Sequence, residues 1–298
     1  IGDDKGVYTN EKYEKLKENF ESLKIEISGL KGGHSGIEIH KQRANAIKIL
    51  GRLLYAVKND ICLSFIEGGT KHNAIAKNSE AIITTKDADK VKNILEELSE
   101  KIKNEYKTED SQMQIKIEKI ENVKEFIKKE ISDNIIDFMN LAPNGVLYMS
   151  REISGLVQTS ANNGVLKEEN GKLIFTISIR SSLESSTEEI ASIVEIASKR
   201  TGAKFEKVNW YPAWEYDKNS KIKDIALSVY KKVTGSDAKI EAIHAGLECG
   251  ILKRVLPEVD MISLGPNLYD VHTPSEHLSI SSVDRTWKFL KELIINLD

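Results

Sequence analysis

Apolar residues recur along this chain with two alternating periods, one of two residues and one of 3.6. Alternation predicts strands over 24–28, 61–66, 80–84, 112–120, 155–161 and 172–180. Helical spacing predicts helices over 44–57, 88–107, 123–141 and 187–200. In chain order these segments form two successive β-α-β-β-α-like cycles, which predicts an α+β domain with a pseudo-repeat, although the two cycles share no sequence identity.

The segment 210–214 interrupts this pattern, because two tryptophans flank a proline there. We therefore expect one domain over 1–208 and a second part over 209–298. In the second part, the pattern of apolar residues predicts helices over 221–234 and 283–296 and strands over 239–243 and 260–264. It also predicts a short helix after the glycine-bearing loop 244–250. Such alternation is typical of one flank of an α/β sheet, which needs further strands to complete it.

Composition limits the classes of partner. The chain has 298 residues, 40% hydrophobic and 30% charged, as expected of a globular protein with one large or two smaller domains. A net charge of −3 argues against nucleic acid as a partner, and no apolar run approaches the roughly 20 residues of a membrane span. Cys62 and Cys249 lack metal-ligand spacing and are expected to be buried free thiols. With no signal-peptide pattern after Ile1, these features predict a cytoplasmic protein.

Three segments carry polar side chains near glycine turns or at a strand end. His34 lies in the glycine-rich octapeptide 29–36, directly after a strand, where its imidazole can face a ligand; an incidental histidine in a flexible turn explains it equally well. Asn73, in 68–75, can bond a carbonyl or carboxylate, but beside glycines an asparagine is more often a turn former. Arg180 ends a hydrophobic strand, where a guanidinium either clamps a carboxylate or extends to solvent.

The C-terminal part holds a candidate metal ligand. His272 lies in a loop after a predicted strand, the region where ligands gather in open α/β sheets, and a neutral imidazole there can bind zinc. One histidine does not make a metal site, and the sequence has no H-E-x-x-H pair and no H-x-D motif. His40 and Arg43, which follow the first motif, are predicted to be surface residues.

Five motifs, spread from Gly29 to Pro274, give the chain a family resemblance. The segments 29–36 with Glu38 and Asn45, then 68–75, 179–182, 243–250 and 265–274, resemble those of the aminoacyl-histidine (Xaa-His) dipeptidases. That family consists of di-zinc metallopeptidases related to carnosinase and carboxypeptidase G. The motifs occur in the family's order, so the resemblance covers nearly the whole chain.

The resemblance implies a role for each matching residue of the first domain. His34 would donate a hydrogen bond to the oxyanion that develops as hydroxide attacks the peptide carbonyl. In related dimers the neighbouring subunit's lid supplies that histidine. Asn73 and Arg180 would hold the backbone and the terminal carboxylate of a dipeptide.

For the C-terminal part, the resemblance implies that His272 is a zinc ligand and that Gly246 and Glu248 line the substrate side of the cleft. Residues 1–208 would form a lid that caps the substrate and can join two copies into a homodimer. Residues 209–298 would be the C-terminal segment of an α/β catalytic domain. The complete enzyme of this family holds two zinc ions.

The chain also departs from the family pattern. The family's H-x-D motif, bridging aspartate, Glu-Glu pair and further metal-binding aspartate lie upstream of the lid, and these 298 residues do not contain them. Because a di-zinc site needs several ligands for each metal, the chain alone is expected to be catalytically incomplete. Asp3 or Asp4 is a candidate remnant of the last metal-binding strand. Three hypotheses stay open: a zinc-dependent dipeptidase, a non-catalytic lid or dimerisation fragment, and a hydrolase of N-acyl amino acids.

Overall fold

A computed structural model describes residues 2–8, 13–15, 19–240, 248–269 and 275–297. Its strands are β1 (Gly2–Tyr8), β2 (Tyr13–Lys15), β3 (Glu21–Ser28), β4 (Gly33–His34), β5 (Ile61–Gly68), β6 (Ala74–Ile75), β7 (Ser79–Thr85), β8 (Gln114–Ile120), β9 (Glu125–Ile127), β10 (Gly145–Met149), β11 (Val157–Glu169), β12 (Lys172–Ser181), β13 (Lys204–Val208), β14 (Leu268–Tyr269) and β15 (His277–Leu278). Its helices are α1 (Ala46–Ala56), α2 (Ala88–Glu105), α3 (Lys129–Leu141), α4 (Glu184–Arg200), α5 (Lys221–Thr234), α6 (Glu248–Val255) and α7 (Ile280–Ile295), with 3-10 turns at Ile39–Lys41 and Lys58–Asp60.

The described residues fall into two compact units, which part between Tyr211 and Pro212. This point lies inside the segment 210–214, where the sequence pattern changes. Among the described residues, no helix combines the length and the apolar character that a bilayer span requires.

The first unit is built on one antiparallel sheet with the strand order β13-β1-β12-β11-β5-β7-β3-β8, in which β10 also pairs with β11. The elements β3-α1-β5-β7-α2-β8 form one half, and β1-α3-β11-β12-α4-β13 form the other. Both halves place their first strand between their third and fourth, so the two share one connectivity. They meet edge to edge where β11 pairs with β5, each being the second strand of its own half.

The predicted pseudo-repeat therefore has a different pairing from the one that chain order indicates. The strand predicted over 112–120 is observed as β8, but it pairs with β3 and completes the first half. Its expected place in the second half is taken by β1, which lies between β12 and β13. Because β1 precedes the whole first half, one repeat is inserted into the other.

The single helix predicted over 123–141 is wrong at its start. The chain first forms the three-residue strand β9, which pairs with β2, and α3 begins only at Lys129. Phe126 and Ile127 of β9 are buried, and the ring of Phe126 stacks on that of Phe20. A contact with residues more than a hundred positions earlier thus overrides the local helical spacing.

Helices α1 to α4 pack side by side against one face of the sheet. Phe175 of β12 meets Phe138 of α3 there, with ring centroids 5.4 Å apart. Asn140 joins α3 to α1, because its Nδ2 donates to the carbonyls of Gly51 and Ile136, both at 2.8 Å. Lys48 adds three bonds to the carbonyls at the end of α3, and burial lowers the pKa of this lysine to about 8.

The second unit has a small core between α5 and α7, where Tyr230 packs edge-on against Phe289 at 5.4 Å. The strand predicted over 260–264 is wrong, since these residues have an irregular backbone. Of the strand predicted over 239–243, residues 239 and 240 are irregular and the others lie outside the described residues. A strand requires a neighbouring strand to bond its backbone groups, and the only strands in the described part of this unit are β14 and β15.

Candidate active site

The loop that carries His34 leaves β3 through a glycine whose close packing fixes its path. Gly29 has a φ of +76°, and a Cβ on it would lie 2.2 Å from the carbonyl oxygen of Gln112, so only glycine fits there. The chain then forms β4, whose Gly33 and His34 pair with Ile75 and Ala74 of β6. The two glycine-rich motifs of the sequence are thus joined by backbone pairing.

The imidazole of His34 is half-buried and its orientation is set by the turn that follows it. Its Nδ1 accepts the backbone N–H groups of Gly36 at 3.0 Å and of Ile37 at 3.2 Å. Because Nδ1 acts as an acceptor, the proton of the neutral ring is assigned to Nε2. His34 therefore presents an N–H donor on the side of the ring away from the turn.

Arg180 lies beside this imidazole although it comes from the other half of the sheet. It belongs to β12, whose Phe175, Ile177 and Ile179 face the helices, so Arg180 points to the opposite face by strand alternation. A Cβ placed on Gly36 would lie 3.1 Å from Cε1 of His34 and 3.2 Å from Nη1 of Arg180. Gly36 thus separates the imidazole from the guanidinium, with almost no spare room.

Asn73 lies close to the His34 loop, because its backbone is bonded to that loop. Its carbonyl accepts the N–H of Ser35 at 2.9 Å, and the residue itself is half-buried. Three of the predicted site residues, His34, Asn73 and Arg180, are therefore brought together on one side of the first unit.

A carboxylate that the sequence analysis gave no role holds the backbone of His34. Oε2 of Glu38 accepts the His34 N–H at 3.1 Å, and Oε1 contacts Lys41 at 2.8 Å and Arg43 at 3.2 Å. The bond from Lys41, with further help from the His34 N–H and Arg43, lowers the pKa of Glu38 below its ordinary value. In the sequence, this cluster was indicated by the opposite charges of Glu38, Lys41 and Arg43 next to a glycine-rich segment.

The prediction that Arg43 is a surface residue is wrong. Its side chain is 16% exposed, and its guanidinium donates to the carbonyl of Gly32 as well as to Glu38. His40, in contrast, is exposed as expected.

A second carboxylate joins the two ends of the same loop from a distant position. Asp110, 2% exposed, accepts the N–H of Lys31 at 2.7 Å and that of Ala44 at 2.8 Å. No local pattern marks it, because its partners lie 66 and 79 residues away in the chain.

The remaining predicted site residues belong to the C-terminal part. Glu248 is exposed at the first position of α6, while Gly246 and His272 lie outside the described residues. Across the ranges that the structure describes, no group of three or more His, Cys, Asp or Glu side chains is arranged to hold a metal ion. The backbone of Asp3 and Asp4 lies in β1, paired with β12 and β13.

Residues 25–110 match the family model of the peptidase dimerisation domain. This range runs from β3 to the turn after α2 and includes both His34 and Asn73. This part of the first unit is thus similar to the dimerisation domain of peptidases.

Two relatives match a larger share of the chain. The chain is 36% identical over 286 residues to the cytosol non-specific dipeptidase of Escherichia coli (strain K12), a match that covers 94% of this chain and 59% of that protein. It superimposes on the crystal structure of aminoacylhistidine dipeptidase from Vibrio alginolyticus with a TM-score of 0.90 and 30% identity, over 99% of this chain and 61% of that one. The chain is therefore a homologue of these dipeptidases, which confirms the resemblance drawn from its motifs, and it spans about 60% of their length.

The crowding around Gly36 leads to a first prediction. In Gly36→Ala the new methyl group must push either His34 or Arg180 aside by a few tenths of an ångström, and rates are sensitive to such shifts, because a displacement of about 1 Å costs up to about 100-fold. On the hypothesis that the full-length protein hydrolyses dipeptides, we expect its kcat/KM to fall several-fold, up to about 10-fold. The matched control is Gly51→Ala, which meets Met139 at the same 3.1 Å but within the helix layer. Equal losses in both variants would contradict the prediction.

Glu38 gives a prediction for pH. Since its pKa is lowered on folding, its contribution to the free energy of unfolding is complete above the ordinary value of 4.5 and is lost as the pH falls through the lower folded-state value. Glu38→Gln imitates the protonated form. At neutral pH its free energy of unfolding should therefore be about 0.5–1 kcal/mol below that of the wild-type protein, the scale of a partly exposed ion pair. At acidic pH the two proteins should have the same free energy of unfolding. Urea unfolding at several pH values measures it, and a pH-independent difference would count against this role.

Proposed function

We propose that this chain is the substrate-capping and C-terminal part of a metal-dependent dipeptidase that acts in the cytoplasm, with Xaa-His dipeptides among its substrates. In this proposal, residues 1–208 form the lid of the enzyme, and residues 209–298 form the C-terminal segment of its catalytic domain. The observation that carries the proposal is the approach of His34 and Arg180 around Gly36. It puts an imidazole N–H donor and a fixed positive charge on one face of one unit.

The Nε2–H of His34 suits the stabilisation of a developing oxyanion. Its direction is fixed before substrate arrives, because Nδ1 already accepts two backbone N–H groups. A pre-oriented donor costs no reorganisation in the transition state and is worth about 100- to 1000-fold in turnover. We assign this role to His34.

Arg180 and Asn73 suit the recognition of the rest of a dipeptide. Arg180 is only 7% exposed, and the guanidinium of a buried arginine binds a carboxylate more strongly than one in water, because less solvent screens the charges. We assign the terminal carboxylate to Arg180 and a backbone carbonyl or carboxylate oxygen to Asn73. Glu248 and Gly246 remain predictions for the substrate side of the cleft.

Zinc, when bound, would supply the activated water for hydrolysis. A catalytic zinc ion requires about three protein ligands, and the described residues hold no such group. As the missing motifs imply, we expect most of the metal ligands for two zinc ions to come from outside this chain, whose own candidates are His272 and, at the other end, Asp3 or Asp4. The steps assigned to this chain are the binding, orientation and capping of the substrate.

The proposal includes a homodimer formed through this domain, in line with the name of the family model that residues 25–110 match. Within one chain, however, His34 already lies beside Arg180. The histidine of this site therefore does not have to come from a partner. The net charge of −3 makes nucleic acid an unsuitable partner.

The function is tested by His34→Ala in the full-length protein. Loss of the oxyanion donor should lower kcat for dipeptides about 100- to 1000-fold while the zinc content stays unchanged. His40→Ala, which removes an exposed histidine six positions later, is the matched control and should keep normal turnover. Normal turnover in His34→Ala would end the assignment, and a wild-type protein with zinc but no dipeptidase activity would favour a non-catalytic cap.

Arg180→Ala tests the recognition of the carboxylate. Bonds to a charged group are worth about 1.5–3 kcal/mol, so KM for dipeptides should rise about 10- to 100-fold. Dipeptide amides, which lack the carboxylate, should be affected little. Equal losses for acids and amides would remove this role, and Arg52→Ala, at a partly exposed pair with Glu105, controls for loss of charge alone. Preference of the wild-type protein for N-acyl amino acids over dipeptides would transfer the proposal to that class of amide.

A further inference from the structure

We propose that Asn162 is a positioning residue, which sets the spacing between Arg180 and the loop that carries His34 and Asn73. This inference rests on the proposed function, because it explains how the site is held together. Asn162 touches none of the reacting groups and belongs to none of the five sequence motifs. It lies in β11, next to the edge where the two halves of the sheet meet.

The side chain of Asn162 holds the backbone on both sides of Asn73. It is 2% exposed, and its Nδ2 donates to the carbonyl of His72 at 3.0 Å and to that of Ala74 at 2.9 Å. Both amide protons are therefore used on the two residues that flank Asn73. A residue held from both neighbours loses most of its freedom to shift along or away from the sheet.

The other end of the Asn162 amide is held by a second asparagine. Nδ2 of Asn45 donates to Oδ1 of Asn162 at 3.3 Å and to the carbonyl of Asn163 at 2.9 Å. The oxygen of Asn45 in turn caps α1 by accepting the N–H groups of Ile47 and Lys48. The start of α1, β11 and the Asn73 loop thus form one bonded chain of polar groups.

Strand register links this chain of bonds to Arg180. Ser160 pairs with Arg180 and Asn162 pairs with Ser178, so Asn162 and Arg180 belong to the same face of two adjacent strands. The two pairs are two residues apart, or about 7 Å along the strand. Asn162 therefore ties the Asn73 loop to the strand pair that carries the guanidinium.

Backbone pairing carries the same constraint on to His34. Ala74, one of the two residues held by Asn162, pairs with His34 between β6 and β4, and the Asn73 carbonyl accepts the Ser35 N–H. The close approach is built in, because a Cβ on Gly164 would lie 2.5 Å from the carbonyl oxygen of His72. Release of the loop from Asn162 would move the histidine relative to the arginine.

The test compares Asn162→Ala with Asn140→Ala in the full-length protein. Asn140 also spans two carbonyls with one amide, but in the helix layer, so it matches the chemistry without the position. We expect Asn162→Ala to lower kcat/KM for dipeptides about 10- to 100-fold, as displacements near 1 Å do. Asn140→Ala should lower the melting temperature comparably and leave kcat/KM unchanged. If Asn162→Ala fails to fold, Asn162→Ser, which keeps one donor, is compared instead.

Two further measurements separate positioning from general destabilisation. In a His34→Ala background, Asn162→Ala should cause much less additional loss, because the imidazole whose distance from Arg180 it sets is already gone. Hydrogen exchange should become faster at residues 33–36 and 71–75 in Asn162→Ala and stay unchanged there in Asn140→Ala. Unchanged exchange in both segments, or fully multiplicative losses in the double variant, would overturn the proposal.

The outcomes also distinguish this inference from the proposed function. If His34→Ala and Arg180→Ala lose activity while Asn162→Ala does not, the inference fails and the function stands. If the wild-type protein has no dipeptidase activity, the function fails, and hydrogen exchange alone still decides whether Asn162 fixes the loop.

Discussion

The candidate site depends on the junction between the two halves of the first unit's sheet. His34 and Asn73 come from the half that ends at β5, and Arg180 comes from the half that ends at β11. The two strands pair at Leu166 and Gly68, where β5 ends, and from there the chain turns into the loop that holds Asn73. Any change in the way these strands meet would alter the distance between the imidazole and the guanidinium.

Buried polar groups make this junction specific as well as stable. An apolar contact would tolerate small shifts along the strands, whereas carbonyls out of water must keep their donors. Asn162 and Asp110 act in this way, since each bonds two backbone groups of a site loop from an almost fully buried position. The backbone of the site loops is thus held by residues that lie outside the predicted site.

Local patterns in the sequence predicted most of the elements and the residues of the candidate site. Strands and helices with strong periodicity, such as α2 and β12, were observed close to their predicted bounds. The errors have a common cause, which is pairing between distant segments. The place of β1 in the sheet, the short strand β9 and the bonds of Asp110 all depend on partners that lie about 65 or more residues away. The stretch 260–264 shows the opposite case: it is an apolar run with an irregular backbone, and no strand within the described ranges of the second unit pairs with it.

The presence of both halves in one polypeptide has a consequence for how such a site can change. In a symmetric pair of subunits every substitution appears twice, at positions related by the axis, so an improvement on one side can damage the other. Here the counterpart of His34 in the second half and the counterpart of Arg180 in the first are encoded separately. Under the proposed function, selection could therefore adjust transition-state chemistry in one half and substrate preference in the other without a compromise between them.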